Sequence, residues 1–524
     1  MTNSRFICLR LSLILLLGFG IRVTGLVWGQ AYCQGSQGDC LEAYQVAVDY
    51  VRGDARAQYL GQPNYNSNAK LPGPLWTLFC VEGLRLGRGS IVGVVWLIIL
   101  LNTGAIYLTY LLAARTIGVA PALWAALFMA VSPSGVFYSG VVYNPVVMPF
   151  LGGLLFLALW RVTQRDRSRA IFWVSLLLLA MPQFHVSGLT LVPAVILVLV
   201  LSPVRLNFLW LASGAIAGLC AYLPYLRGEM AHDWGNTRGM IWGASNPYWP
   251  GTLRIVTAPL SFLVNIWTPW SVYTPAEYRN MCRACFGFFE LSLAVNALSV
   301  VSAAFLVCGA FLSIKKAFRG FSHSPSAVFA QSPGIVFLTI IFTLPLLANL
   351  VTGKVFQARY CLVLLPPLFA LAGAGITHWL ANPRLRRLAL FIILASTCAT
   401  AWFTPAMFRF QKTSIREGSW FVPGFAKLEA VYQHLKAHAG RDRPVQVEDA
   451  DYLQALPREE QFLRQAALIR QYVAIREKQT TLFPNTQVSA AIYQLRFADK
   501  VRPQDPAVAY YGNGIALTAK GVMQ

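Results

Sequence analysis

Apolar segments long enough to cross a lipid bilayer recur along this chain and limit its possible folds more than any other feature. A helix crosses the hydrocarbon core with about 20 apolar residues, and 56% of the chain is hydrophobic while only 12% is charged. No ordinary water-soluble domain has that composition. The spacing predicts an all-α polytopic membrane protein with about eleven transmembrane helices. The segments lie near 1–29, 91–113, 120–137, 145–160, 170–183, 186–203, 206–225, 288–314, 333–352, 360–380 and 388–406.

The first apolar segment has two competing interpretations. Arg5 and Arg10 precede an apolar run, as in a secretory signal. The run continues through Ile21 to Trp28, which is longer than a signal core, and no small-residue cleavage site follows directly. We therefore expect a retained span with a cytoplasmic N-terminus. The segments on either side of Pro182 and Pro193 are short, and a broken or re-entrant element there remains an alternative.

The distribution of charge supports this topology. The net charge of +22 would suggest nucleic acid in a soluble protein, but here it follows the positive-inside rule. Asp166 is the only acid in the inner segments, so chemistry that needs carboxylates must lie outside. These features predict a multi-pass protein of the plasma (inner) membrane that binds no nucleic acid. The inner basic residues are Arg5, Arg10, Arg115, Arg161, Arg165, Arg167, Arg169, Arg205, Lys315, Lys316, Arg319, Arg384, Arg386 and Arg387.

The same distribution disfavours two classes of membrane protein. Ion-coupled transporters and pumps usually carry ionisable side chains near mid-bilayer, and no predicted span has an acid at its centre. No segment has the pattern of a channel selectivity filter.

Three outer regions are large enough to build a site: residues 30–90, residues 227–287 and everything from residue 409. The first opens with an acidic segment, Asp39 to Glu42, which leads into a predicted helix ending at Val51. A turn-rich stretch then reaches the basic-proline segment Lys70 to Pro74. We divide the chain into a membrane domain, 1–408, and a small extracytoplasmic α/β domain, 409–524. In the latter, residues 511–514 read as the turn of a β-hairpin.

Taken in order, these motifs resemble those of one family. An arginine late in the first span (Arg22), the acidic segment and the basic-proline segment match motifs of the membrane-embedded type-C glycosyltransferases. That family includes protein O-mannosyltransferases and aminoarabinose lipid A transferases, and the resemblance covers residues 10–406. Further landmarks in the expected order are Ser132-Pro133, Tyr138-Ser139, Asn144-Pro145, Gln183-Phe184-His185, Arg359-Tyr360 and Leu365-Pro366-Pro367.

The resemblance implies a hexosyl or pentosyl transferase that uses a polyprenyl-phosphate sugar donor. Such an enzyme moves the sugar to a lipid, glycan or protein acceptor at the outer face of the membrane, with inversion. The acceptor hydroxyl needs a general base, for which the resemblance points to Glu42 or Asp39. The lipid phosphate needs hydrogen-bond donors, which the resemblance assigns to Arg22, Lys70, Arg359 and Tyr360.

Two departures from the family pattern affect the site. The family usually has adjacent acids in the first loop, whereas here Leu41 precedes Glu42, and Asp39 is one helical turn earlier. A second acid of the family is replaced by Tyr143-Asn144. A divalent cation (Mg, Mn or Zn) is therefore only a secondary expectation. Tyr44, Tyr143, Asn144 and His185 are expected to line the substrate site.

Each site residue also has a structural interpretation that the sequence leaves open. An acid at Asp39 or Glu42 caps a helix favourably. Arg22 can extend to the outer headgroups, and Lys70 is an ordinary interfacial cation. His185 can satisfy backbone groups freed near Pro182. Arg359-Tyr360 can anchor the chain at the membrane interface, and Asn144-Pro145 can form a turn and the start of a helix.

The competing functional hypothesis is a non-catalytic protein that binds or handles the lipid carrier on the same scaffold. Cysteines in the outer loops favour disulfide bonds over a zinc site, because an oxidising compartment permits them. The pairing among Cys33, Cys40, Cys282 and Cys285 is open.

Overall fold

The structure is a computed structural model, and it describes the membrane bundle almost completely. The described residues are 4–29, 39–64, 69–245, 289–318, 332–351, 358–413, 431–433, 435–437, 445–449, 471–477, 491–497, 507–511 and 515–522. The tryptophan-rich part of the second outer loop, with Cys282 and Cys285, lies outside them, as does Cys33.

Sixteen α-helices are found in the described part of the membrane region. Long apolar runs without charged residues favour helix here because, in lipid, each backbone group must be satisfied within its own segment. The helices are α1 (Ser4–Thr24), α2 (Asp39–Val51), α3 (Leu75–Leu86), α4 (Val92–Thr116), α5 (Val119–Val131), α6 (Pro133–Phe137), α7 (Met148–Thr163), α8 (Ile171–Phe184), α9 (Val192–Leu201), α10 (Phe208–Cys220), α11 (Leu223–Ala231), α12 (Gly235–Ser245), α13 (Phe289–Phe318), α14 (Pro333–Val351), α15 (Leu365–Leu380) and α16 (Pro383–Thr413).

All eleven predicted spans coincide with helices in the described residues. Five segments are long and apolar enough to cross a membrane, and two further pairs qualify if each bent pair is one span. The remaining four are shorter apolar helices, two of which flank the break at His185 between Pro182 and Pro193. The polytopic all-α fold is confirmed, and the number of crossings stays a prediction.

Burial within the bundle differs between spans. In the apolar 18-residue window of the span Tyr360–Leu380, 89% of the residues are buried, whereas only 17% are buried in that of the first span, Arg5–Val27. Gly373 of α15 lies directly against the Pro121 carbonyl at the start of α5, where a Cβ atom would collide. Small residues of this kind let helices approach closely in a membrane. The central helix α15 therefore runs through protein, and α1 faces lipid.

An outer layer covers one end of the bundle. Helix α2 packs on α3, which packs on α4. Between α2 and α3, strands β1 (Leu60–Asn64) and β2 (Ala69–Pro72) form an antiparallel pair that the sequence did not predict. Trp76 is fully buried and donates its indole N–H to Gln62 Oε1 at 3.1 Å, which holds α3 against β1.

The C-terminal region contains a mixed four-stranded sheet in the order β3-β4-β6-β5. Its strands are β3 (Val445–Asp449), β4 (Ala491–Phe497), β5 (Ala507–Tyr511) and β6 (Ile515–Val522). Strands β5 and β6 pair antiparallel, which confirms the predicted hairpin. The domain limits at residues 408 and 409 stay predictions, and α16 continues to Thr413.

Candidate active site

The acidic segment lies on the helix that the sequence predicts. Asp39 is the first residue of α2, and Glu42 follows one turn later. Glu42 is half-buried, and its Oε2 atom is shielded from solvent. Carboxylates in a first turn also interact favourably with the helix dipole. The structure therefore puts both candidate bases in the outer layer, while their catalytic role stays a prediction.

Tyr44 is on the same helix but faces protein. Its side chain is fully buried, its hydroxyl donates to the Gly89 carbonyl at 3.2 Å, and its ring lies 5.9 Å from that of Tyr472. Residues 471–477 of the C-terminal region thus pack on α2. These contacts give Tyr44 a packing role, and its predicted role in lining a substrate site stays a prediction.

Lys70 is held through its backbone by a residue far away in the chain. The Asn236 side chain accepts a hydrogen bond from the Lys70 N–H at 2.6 Å and donates one to the Lys70 carbonyl at 3.0 Å. Asn236 also donates to the Tyr225 hydroxyl at 3.2 Å. This two-point contact imitates strand pairing along the free edge of β2. It fixes the backbone from which the half-exposed lysine side chain extends.

Further contacts dock the second outer loop on the first. The Tyr59 ring stacks on His232 with centroids 5.6 Å apart and lies against Gly228. Burial raises the pKa of Tyr59, consistent with a closed contact. Glu229 is also buried and accepts from the Thr237 N–H at 2.7 Å, which stabilises the turn between α11 and α12.

Gly73 in the basic-proline segment lies against a buried amide. Its φ angle is +115°, a conformation that favours glycine. A Cβ atom there would collide with the side-chain amide of Gln183. Gln183 is fully buried, and neither its Oε1 nor its Nε2 has a hydrogen-bond partner among the described residues. A buried amide without partners is costly, and a bound polar ligand would supply them.

Asn144 presents a second such group. It begins the 3-10 helix Asn144–Val147, is 6% exposed, and its Oδ1 has no partner among the described residues. This 3-10 helix contacts both α8 and the 3-10 helix Ala358–Leu364, which carries Arg359 and Tyr360. Tyr143, next to it, is also buried. The 3-10 helix is consistent with the turn-and-helix-start interpretation of Asn144-Pro145, and the buried amide oxygen without a partner among the described residues leaves a ligand role open.

His185 stacks on Tyr360, with ring centroids 5.4 Å apart and an interplanar angle of 17°. Its Nδ1 accepts the backbone N–H of Ser187 at 3.2 Å and lies 2.7 Å from the Ser187 hydroxyl. In the neutral ring the proton is therefore on Nε2. His185 thus caps the break after α8, as the structural alternative predicts, and it also supports Tyr360. We name Asn144, Gln183, His185 and Tyr360 the outer polar cluster.

Arg22 lies deep in the bundle rather than at its surface. It is fully buried, and its Nε donates to Ser139 Oγ at 3.0 Å. Its Nη atoms donate to the carbonyls of Gly18, Ala130 and Met129 at 2.9–3.0 Å. It thereby satisfies carbonyls at the end of α5, where the chain bends. Extension to the headgroups is excluded by this burial. These four bonds use every N–H of the guanidinium group except one on Nη2. The phosphate-binding role of Arg22 stays a prediction.

The remaining predictions concern metal and cysteines. Among the residues that the structure describes, no group of three or more histidine, cysteine or acidic side chains is placed to hold a metal. Cys40 is disulfide-bonded, in line with an oxidising compartment, while the other described cysteines are free. Burial raises the pKa of the Cys80 thiol.

The structure thus joins Asn144, His185 and Tyr360 with Gln183 and with strand β2, which carries Lys70, because β2 contacts α8. It places Arg22 and Tyr44 in packing contacts outside this group. The role of Asn236 was missed, and only the polar, non-helix-forming character of Gly235-Asn236-Thr237 in the sequence marks it as unusual.

The arrangement of helices corresponds to a known fold. The sequence matches no protein-family model, and no curated relative matches it either. Structural superposition nevertheless shows that the chain shares the polytopic helical fold of ArnT.

Two crystal structures of ArnT from Cupriavidus metallidurans match over 99% of this chain and 98% of theirs. The one bound to undecaprenyl phosphate has a TM-score of 0.55 and 13% identity. The apo structure has a TM-score of 0.57 and 12% identity. An oligosaccharyltransferase from Archaeoglobus fulgidus, solved with Zn and sulfate, matches 94% of this chain and 68% of its own at a TM-score of 0.46 and 11% identity, too distant to contribute to the assignment.

Proposed function

We propose that the protein is an inverting glycosyltransferase that works at the outer face of its membrane and takes its sugar from a polyprenyl-phosphate carrier. The proposal is supported by the fold shared with ArnT, which has been solved with undecaprenyl phosphate. The acceptor is a lipid, glycan or protein hydroxyl. We also propose that the protein lies in the inner membrane, with its N-terminus in the cytoplasm and its C-terminal region outside the cytoplasm.

One observation of the site carries the proposal. Gln183 and Asn144 present buried amide atoms that have no hydrogen-bond partner among the described residues, beside a stacked His185–Tyr360 pair. Polar groups buried in this way usually have a partner, so the outer polar cluster fits a bound polar ligand. The sugar, rich in hydroxyls, supplies donors and acceptors for both amides.

The reaction is a displacement at the anomeric carbon. Glu42 or Asp39 takes the proton of the acceptor hydroxyl, whose oxygen attacks the anomeric carbon. The bond from that carbon to the phosphate oxygen breaks with inversion, and the lipid phosphate leaves with the bonding electrons. Lys70, Arg359 and the Tyr360 hydroxyl stabilise the phosphate as its charge develops. A divalent cation, if bound, adds positive charge at the phosphate.

The test is sugar transfer from a radiolabelled panel of polyprenyl-phosphate sugars by purified full-length protein. Changing the true base to its amide lowers turnover about 10²- to 10⁴-fold while lipid-phosphate binding is retained. The variants are Glu42→Gln and Asp39→Asn. Glu82→Gln is the matched control, because Glu82 is an exposed acid whose ion-pair partner among the described residues is the exposed Arg85. Repeating the assay with and without divalent ion tests the metal.

The alternative is a non-catalytic protein that binds or handles the lipid carrier. This alternative is supported by the acidic segment, in which Asp39 and Glu42 are one helical turn apart, whereas the family usually has two adjacent acids. Lipid-phosphate binding without turnover for any donor would establish this alternative. Turnover that survives in both acid variants would refute the assigned bases.

A further inference from the structure

A cavity of about 760 Å³ opens at the end of the bundle opposite the outer polar cluster. Asn144 and Arg161 lie on one span, Asn144–Thr163, and their separation corresponds to about 25 Å along a helix axis. Similarly, Gln183 is near the end of α8, while Arg169 precedes its start. The cavity lies between α7 and α8 at their Arg161 and Arg169 ends, and Arg115 at the end of α4 also lines it.

The mouth of this cavity carries an excess of positive charge. Four arginines line it, Arg115, Arg161, Arg165 and Arg169, with Asp166 as the single acid. None of the four forms a salt bridge within the described part of the chain. Asp166 is engaged, since its Oδ1 accepts the Arg205 N–H at 2.9 Å. An anion entering the mouth therefore meets exposed guanidinium groups, which bind phosphate strongly.

The loop that supplies these arginines is held in place. The Arg167 N–H donates to the Arg205 carbonyl at 2.7 Å, which with the Asp166 contact forms a reciprocal tie to the loop before α10. The Arg169 guanidinium carbon lies 5.6 Å from the centre of the Trp210 ring. The backbone of the loop and the Arg169 side chain are thus held in place by contacts within the fold.

Below the arginines the wall is apolar. Leu154, Leu157 and Ala158 of α7 face Leu177 of α8 across the cavity. Trp173 also lines it and is 55% exposed, as expected for a tryptophan at the membrane interface. A cationic mouth above an apolar wall between helices suits a molecule with an anionic head and hydrocarbon chains.

We propose that this cavity binds an anionic diacyl phospholipid of the phosphatidylglycerol type. The phosphodiester contacts Arg161 and Arg165, and the acyl chains lie along α7 and α8. The inference does not depend on the proposed transfer reaction. Arginines that only set topology would attract anionic lipid wherever they lie, whereas a site requires the cavity as well as the charge.

The experiment is native mass spectrometry of the full-length protein titrated with phosphatidylglycerol or with phosphatidylcholine of the same chain length. Wild type is expected to bind one phosphatidylglycerol about 10-fold more tightly than phosphatidylcholine. The double variant Arg161→Gln with Arg165→Gln loses this preference. The double variant Arg161→Lys with Arg165→Lys keeps most of it, and excess inorganic phosphate does not displace the lipid.

The matched control removes two exposed arginines at the same end of the bundle but away from the cavity, Arg384→Gln with Arg386→Gln. Equal weakening in this control would overturn the proposal in favour of diffuse charge attraction. A second variant, Ala158→Trp, fills the cavity and is expected to abolish the preference at unchanged melting temperature. Retention of binding there, or full competition by inorganic phosphate, would refute a lipid site.

Discussion

The two ends of helices α7 and α8 present polar groups in opposite ways. At one end Asn144 and Gln183 are neutral amides buried against a tight backbone turn. At the other, Arg161 and Arg169 are exposed cations around an apolar cavity. Neutral buried dipoles select by geometry and exposed cations by charge. The first end should therefore be sensitive to small changes of shape, and the second to charge and salt.

Among the changes that compare the two ends, the largest effect is expected for Gln183→Leu. A buried amide without partners costs stability, so an apolar replacement of similar size should raise the melting temperature. If the amide binds sugar, turnover should fall about 100-fold at the same time, since lost hydrogen bonds to substrate cost about 2.7 kcal/mol. Thermal melting and donor turnover measure the two effects.

Asn102→Leu is the control for this prediction. Asn102 is also buried, but its Nδ2 donates to the Ile98 and Val146 carbonyls at 3.0 Å. Its replacement should lower the melting temperature. If Gln183→Leu destabilises the protein equally, the amide has a structural role and the binding site is misplaced.

Gly73→Ala should have the next largest effect. We expect about a 30-fold loss of turnover, because alanine is strained at this positive φ and its Cβ atom displaces Gln183. Gly118→Ala is the matched control, because Gly118 has a φ of +101° and open space around its missing Cβ. Equal losses in the two variants would show that strain alone matters, and not the contact with Gln183.

Asn236→Ala removes both side-chain hydrogen bonds to the Lys70 backbone. We expect about a 10-fold loss of turnover. In a double-mutant cycle with Lys70→Gln the two losses should not add, because Asn236 acts through Lys70. Strictly additive losses would separate the two residues. The cycle is measured as turnover over donor affinity, so that positioning and binding are distinguished.

The smallest effect concerns salt. Raising ionic strength from 0.1 M to 0.5 M should weaken phosphatidylglycerol binding about threefold at the arginine-lined cavity between α7 and α8 (the arginine cavity), because exposed charges are screened. Turnover at the outer polar cluster should change less than this. A larger response of turnover would indicate that charge attraction also dominates at the outer end and would remove the contrast between the two.

The sequence is most informative where local pattern decides the structure. The helix Asp39–Val51, the apolar helices and the hairpin between β5 and β6 follow from periodicity and turn residues over short stretches. The pairing of β1 with β2 was missed because Leu60–Asn64 contains glycine and proline, which usually weaken a strand.

The site is less predictable because its contacts connect distant residues. The sequence predicts that Arg22 binds phosphate, whereas in the structure it donates hydrogen bonds to Met129, Ala130 and Ser139, which are more than 100 residues away in the chain. No local pattern reveals that those carbonyls need donors. The same holds for the arginine cavity, where charges from α4 and the α7–α8 loop meet only after the helices pack.

The bond between Asn236 and Lys70 also constrains how the protein is made. Their separation of 166 residues takes roughly 10–30 s to synthesise at about 5–20 residues per second. Until then the edge of β2 lacks its partner, although helices α3 to α11 have already been synthesised. The contact between these two long loops is therefore completed late in biogenesis, after the helices that separate them in the chain have been made.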